Sequence, residues 1–378
     1  MGKPMGIHWI IGMFSILLFG WTGPAIAGAP APLPVSSGPH PEHLIANLGE
    51  FQFENGEVVK DFKVSYVTHG KLNRKQDNVI LAMQHYFGDH HDYDVLIGPG
   101  KALDTNKYFI VATDFIASAG IRQDITTGPT NSGLNMEFPP ITGRDWAKAD
   151  YKLLKEYLGI DRILAVIGGS IGAMNAFQFA ISYPDYSRGI IPIAGAPVTN
   201  PQVKAQLRSF MNIISMDTGW YNGNYLNNPT VGVATALMAY SSSFLFTTQW
   251  FAENLKSKEK FREWEMFFYE HWTTRALQDA RDFYYQTQTW SNYDVGSTPG
   301  FDGDVEMALR SIKAKVLVIA INNDRSFPIE DVIHYNQFIP NLTYVEFDSP
   351  MGHGAFIDDP ETVKLESREI AKFLARLR

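Results

Sequence analysis

The sequence contains no cysteine in 378 residues. That absence excludes disulfide staples, a thiolate nucleophile, thiolate metal ligands and a cysteine-linked lipid. A chain of this length can bury enough apolar surface to be stable without cross-links. There is no excess of basic residues either, since 32 Lys and Arg stand against 40 Asp and Glu, for a net charge of −8. That balance offers no positive footprint for nucleic acid or an anionic membrane surface. Internal repeats are also missing. The one long apolar run near the N-terminus falls short of the roughly 20 residues of a membrane span.

That run, Ile7 to Trp21, follows Lys3 and precedes the small-x-small sequence Ala25-Ile26-Ala27. The pattern is that of a secretory signal peptide over 1–27, cleaved after Ala27, with a retained anchor as the alternative. It predicts a periplasmic or secreted protein with no stable membrane span after signal removal. Residues 28–50, opening with Ala, Pro, Ser and Gly, read as a flexible lead-in.

Beyond it, short apolar runs alternate with segments of helical period. Strands are expected at Phe62–Thr68, Val79–Gln84, Tyr108–Thr113, Ile163–Gly168, Ile190–Ala194, Val316–Ile321 and Tyr344–Phe347. Several are almost continuously apolar, as strands covered on both faces should be. Trp146–Leu158, Gly172–Ser182 and Glu361–Leu377 read as helices. The alternation predicts an α/β fold with a mostly parallel central sheet and helices on both faces. The stretch around Phe51–Gly70 looks like a hairpin forming an antiparallel edge.

Between Pro201 and Phe301 the strand pattern stops and aromatics crowd in, among them Trp264, Phe267, Phe268, Tyr269, Trp272, Phe283, Tyr284 and Tyr285. This stretch, 201–301, is expected to be a helical cap inserted into a core of 51–200 and 302–378. Most of its aromatics should pack the cap itself, and a few should line a pocket.

The most informative stretch is Ile163-Leu-Ala-Val-Ile-Gly168-Gly-Ser170-Ile-Gly172. A G-x-S-x-G pattern alone is weak, but here a buried strand leads in and a helix leads out, which is the setting of a nucleophile elbow. The turn is tight, so the serine's neighbours must be small. The helix N-terminus behind it offers N–H groups to a developing oxyanion. A serine needs a base, and in the α/β-hydrolase superfamily, which this arrangement resembles, an Asp or Glu and then a His follow on loops after later strands. Asp324 follows Val316–Ile321 and His353 follows Tyr344–Phe347. Asp348 lies too close to its strand end, and Asp358 and Asp359 suit the start of the last helix. The expected catalytic set is therefore Ser170, Asp324 and His353. Oxyanion donors are expected from the backbone N–H groups of Ile171 and of Tyr86, in the loop after Val79–Gln84.

That loop also holds His85, Asp89, His90, His91, Asp92 and Asp94, which invites a metal reading. No helical His pair with an intervening Glu is present and the ligand count is ambiguous. Hydrogen-bonding and pocket-lining roles are preferred, with no metal and no cofactor expected.

Several longer segments resemble homoserine O-acetyltransferases. These are Val95–Ile110, Leu158-Gly-Ile, Val166–Gly172, Gly352-His353 with Ala355-Phe356, and in the cap Asp217-Thr-Gly-Trp220 with Gly223 and Tyr225. The resemblance runs from about Phe62 to the C-terminus. It implies an acyl-Ser170 intermediate, the same three catalytic residues and a homodimer through the cap. Two departures stand out. The family has an aspartate after its histidine, which helps hold the substrate's amino group, where this chain has Gly354. A cap arginine that holds the substrate carboxylate corresponds to Leu237 here. A zwitterionic acceptor loses both anchors. Export would also remove the usual CoA donor. The sequence therefore predicts an exported serine hydrolase of a small ester, thioester or amide, with O-acyl transfer from CoA or another donor to an alcohol as the alternative. The partner is a small acyl substrate.

Overall fold

The computed structural model describes residues 42–118, 126–275 and 279–377, with the side chains of 268–275 outside the description. The expected signal peptide over 1–27 and the lead-in as far as 41 therefore lie outside the described residues, as do the side chains of Phe268, Tyr269 and Trp272.

Eight strands form one sheet in the order β1-β2-β4-β3-β5-β6-β7-β8. They are β1 Leu44–Gln52, β2 Val58–Gly70, β3 Val79–Met83, β4 Phe109–Thr113, β5 Ile163–Gly169, β6 Ser187–Ile193, β7 Lys315–Ile321 and β8 Leu342–Phe347. The pairs β1–β2 and β2–β4 are antiparallel. Every other neighbouring pair is parallel, so the expected parallel sheet with an antiparallel edge is what forms. β3 and β5 are buried at every residue, which explains their unbroken apolar sequences.

The flexible lead-in is corrected at its end. Leu44–Glu50, placed in the segment 28–50, belongs to β1. As an edge strand it buries Ala46 and Phe51 and leaves most other positions exposed or half-exposed, and its register shifts on either side of Gly49. A bulged, half-polar edge has no strong apolar period to read.

Helix α1 (Gly143–Lys152) starts with a capping box, the Thr142 side chain accepting from Asp145 N while the Asp145 carboxylate accepts from Thr142 N. It packs on α2 (Ile171–Ser182), which is buried at every residue but its last and lies against β3, β5 and β6. An apolar circumference of that kind marks a helix inside the protein. Between β6 and β7 the longer described elements are all helices: α3 Pro201–Ser215, α4 Thr230–Tyr240, α5 Thr248–Asn254, α6 Lys258–Arg275, α7 Ala280–Ser291 and α8 Val305–Arg310. In the cap, Asp217 accepts from Gly219 N at 2.8 Å and Gly232 N at 2.6 Å, fixing the start of α4. The chain ends with α9 Ile329–Asn336, the short α10 Ala355–Asp358 and α11 Pro360–Leu377, which lies on β5, β6 and β7. Among the described residues no single helix is long and apolar enough to cross a membrane. One bent pair, Thr230–Leu245 with Thr248–Asn254, passes on composition, yet its Leu237, Tyr240, Phe244 and Trp250 are buried within the protein.

Asp150 is one of several buried groups whose titration is shifted. Burial pushes the Asp150 carboxyl on α1 up to about 7 from its ordinary 3.8, the nearby Thr113 hydroxyl opposing and the Asp114 charge adding to the shift. A folded-state value above the unfolded one contributes stability that is present below pH 3.8 and lost as pH rises through 7. Denaturant titrations of wild type and Asp150→Asn at pH 4 and pH 8 should therefore diverge. The variant gains on wild type by roughly 4 kcal/mol over that interval. A difference that stays constant with pH contradicts the assignment.

Candidate active site

The sharpest local constraint sits where β5 hands over to α2. Ser170 has φ 57° and ψ −123°, a conformation that a side chain other than glycine rarely adopts and that costs about 1–3 kcal/mol. The cost is met by close packing. A Cβ on Gly168 would lie 2.1 Å from the Gly172 carbonyl oxygen, and one on Gly172 would lie 2.6 Å from both the Met83 and Gln84 oxygens. The two motif glycines thus let α2 press its first turn against the end of β3. Ser170 N donates to Ile193 O of β6 at 2.9 Å, and Tyr93, whose hydroxyl donates to Met83 O, accepts from Gly169 N at 2.5 Å. Ser170 is the N-cap of α2, yet its side chain caps no backbone N–H. Its hydroxyl is directed elsewhere.

That direction is toward His353. Ser170 Oγ lies 2.8 Å from His353 Nε2, and His353 Nδ1 lies 2.6 Å from Asp324 Oδ2. The other carboxylate oxygen of Asp324 accepts from Ser326 N at 2.7 Å and Phe327 N at 3.0 Å. With Asp324 as acceptor on one side, the imidazole carries its proton on Nδ1 and presents Nε2 to the serine hydroxyl as an acceptor. All three residues are buried, with Ser170 2% exposed and His353 1%. They come from loops after β5, β7 and β8, at one end of the parallel strands.

The structure thus brings together the three residues expected from sequence and leaves the rejected carboxylates elsewhere. Asp348 accepts from Asn322 Nδ2 on the surface, and Asp359 accepts from Ser349 Oγ, Thr362 Oγ1 and Glu361 N at the start of α11. Asp358 is buried in α10, which pushes its carboxyl up.

Ile171 begins α2 directly behind Ser170, and Tyr86 follows β3 in the loop that Gln84 shapes. Gln84 Oε1 accepts from Phe115 N and Ser118 Oγ, while its Nε2 donates to His85 O and Gly88 O. Among the described residues no hydrogen bond takes up the N–H of Tyr86 or of Ile171. Beside them His85 is held neutral, its value lowered to about 4 by burial, against the Tyr86 carbonyl's upward pull and with a smaller contribution from the neighbouring His353 ring. Its Nδ1 lies 2.8 Å from Tyr86 O.

Aromatics wall the site. Trp290 of α7 stacks on Phe327, whose ring is 5.6 Å from that of His353. The Tyr86 ring meets Tyr240 of α4, Phe283 of α7 and Trp290 at 5.0–5.9 Å. Sequence reasoning expects a few cap aromatics at a pocket without singling out Tyr240 or Trp290, because helical spacing does not tell which stripe faces the core domain. Leu237, fully buried, lies one turn before Tyr240 on α4, and Gly354 is buried beside His353.

A family model described as the alpha/beta hydrolase fold matches residues 83–360. The homoserine O-acetyltransferase of Symbiobacterium thermophilum is 33% identical, over 86% of this chain and 91% of its own. The chain belongs to the α/β-hydrolase family, in its homoserine O-acetyltransferase-like branch. Solved structures of two kinds resemble this α/β-hydrolase. The homoserine O-acetyltransferase of Bacillus anthracis superposes with a TM-score of 0.76 at 27% identity, covering 89% of this chain and 97% of its own. The acetyl esterase MekB superposes with a TM-score of 0.80 at 25% identity, with the same coverage. The protein is an enzyme of this superfamily, and its relatives carry out acyl transfer or ester hydrolysis.

Tyr86 offers a clean test of the donor assignment. Its hydroxyl bonds Thr287 Oγ1, which also donates to Phe283 O at 2.7 Å. Tyr86→Phe should cost about 1 kcal/mol of stability and leave turnover of an acetyl ester unchanged, as read by paired denaturation and kinetics. A loss of turnover of about 10²–10³, the size of a missing oxyanion donor, would show instead that the hydroxyl takes part.

Proposed function

We propose that the protein is an O-acyltransferase that forms an acyl-Ser170 intermediate and passes a short acyl group to the hydroxyl of a small, weakly charged acceptor. The observation that carries this reading is the continuous hydrogen-bonded line Ser170–His353–Asp324, on a strained elbow inside an aromatic wall. Catalytic roles follow from the geometry. His353 Nε2 takes the Ser170 proton as Oγ attacks the donor carbonyl, and Asp324 stabilises the resulting imidazolium. The N–H groups of Ile171 and Tyr86 receive the oxyanion. His353 then protonates the leaving group, the acceptor enters, and the same nitrogen takes the acceptor's proton as its oxygen attacks the acyl carbonyl, then returns that proton to Ser170 Oγ as the bond to Ser170 breaks and the new ester departs.

The names of the relatives support transfer over the hydrolysis expected from sequence alone. The acceptor is proposed not to be homoserine, because Leu237 and Gly354 stand where the family's charge-holding arginine and aspartate are expected. An apolar side chain in a buried position gives a carboxylate nothing to pair with. Export, read from residues 1–27, is retained as part of the proposal and favours a donor other than CoA. Hydrolysis is the second reading, favoured by the likeness to an acetyl esterase.

Product partition tests the choice. With nitrophenyl acetate as donor, transfer predicts that millimolar butanol diverts product from free acetate to butyl acetate while homoserine does not. Free acetate as the sole product with every alcohol tried supports hydrolysis and overturns transfer. Ser170→Ala should remove either activity by several powers of ten.

A further inference from the structure

Three histidines converge away from the Ser170 site. His43, directly before β1, lies with its Nε2 3.2 Å from His90 Nε2 and 3.3 Å from His91 Nε2. The three ligand-capable nitrogens all lie within 4.8 Å of one another. His90 and His91 are buried, and His43 is half-buried. The backs of two imidazoles are held by carboxylates. His90 Nδ1 lies 2.9 Å from both oxygens of Asp114, just after β4, and His91 Nδ1 lies 3.2 Å from Asp94 Oδ2.

We propose that His43, His90 and His91 bind one zinc-class divalent transition metal through their Nε2 atoms, with Asp114 and Asp94 as outer carboxylates. Ring orientation and nitrogen spacing both suit such an ion. Carboxylates at Nδ1 put the protons of His90 and His91 on that side, so both Nε2 lone pairs face His43 Nε2. Two nitrogens each 2.0–2.1 Å from a tetrahedral zinc stand about 3.3–3.4 Å apart, close to the two His43 separations. A set of imidazoles without thiolate suits zinc, cobalt, nickel or copper rather than calcium or magnesium. His69 adds to the setting. Its Nε2 is buried without a hydrogen-bond partner among the described residues, and its ring lies within electrostatic reach of Asp94, His91 and His90.

Bound metal ties the residue leading into β1 to the loop after β3, the loop that carries Tyr86. The site is thus a structural clamp on the segment proposed to supply an oxyanion donor. That consequence for activity rests on the proposed function, and metal binding itself does not.

The test uses the untagged full chain, dialysed against chelator and titrated calorimetrically with ZnCl₂. Wild type should bind about one equivalent with at least micromolar affinity, and Co²⁺ in place of Zn²⁺ should show the visible bands of four-coordinate cobalt. Asp94→Asn should weaken Zn²⁺ binding by about 10–100-fold. His43→Ala, at a half-buried position, should weaken it at least as much and abolish the chelator-dependent fall in Tm. Wild type that takes up no Zn²⁺, or His43→Ala that binds as wild type does, overturns the site. Either result leaves the acyl chemistry untouched.

Discussion

The structure depends on one close backbone approach, the contact of the first turn of α2 with the end of β3. Ser170 can hold φ 57° because Gly168 and Gly172 leave no Cβ between the Gly172, Met83 and Gln84 carbonyls. Filling either position forces backbone apart rather than a flexible side chain, and overpacking of that kind costs about 1–3 kcal/mol or more. The same contact sets Ile171 and the loop around Tyr86 side by side. It also aims the Ser170 hydroxyl away from capping and toward His353.

Around that turn, polar groups are used with little slack. Each oxygen of Asp324 has a donor, and Gln84 uses both ends of its amide to shape the loop after β3. Such fully engaged side chains hold a site in one geometry, because any shift strands a buried polar atom. The cap contributes shape instead. Tyr240, Phe283 and Trp290 pack their rings against Tyr86. A site of this kind selects its substrate by fit.

Much of this is legible in the sequence. β3, β5 and β7 are readable because strands buried on both faces must be apolar without a break. Asp324 is readable because it follows such a strand by a few residues, and His353 because it follows the half-buried edge strand β8. β1 is not, since a bulged edge strand with Ala46 and Phe51 as its inward anchors has no period strong enough to separate it from a loop. The histidine cluster is half visible. His90 and His91 stand side by side in the chain, but His43 lies 47 residues before His90 and Asp114 lies 24 after it, and only strand pairing brings them together. Leu237 and Gly354 are the opposite case, where a departure from the pattern of a resembling family bears on the proposed acceptor through residue type alone.

The central claim is that Ser170 is the residue acylated and His353 the base that both forms and resolves the adduct. The most direct measurement is intact-mass and peptide-mapping analysis of the protein quenched during turnover of an acetyl ester. The account predicts a single acetyl adduct on the peptide containing Ser170, absent in Ser170→Ala and formed far more slowly in His353→Ala. An adduct on another residue, or full turnover by Ser170→Ala, would contradict it.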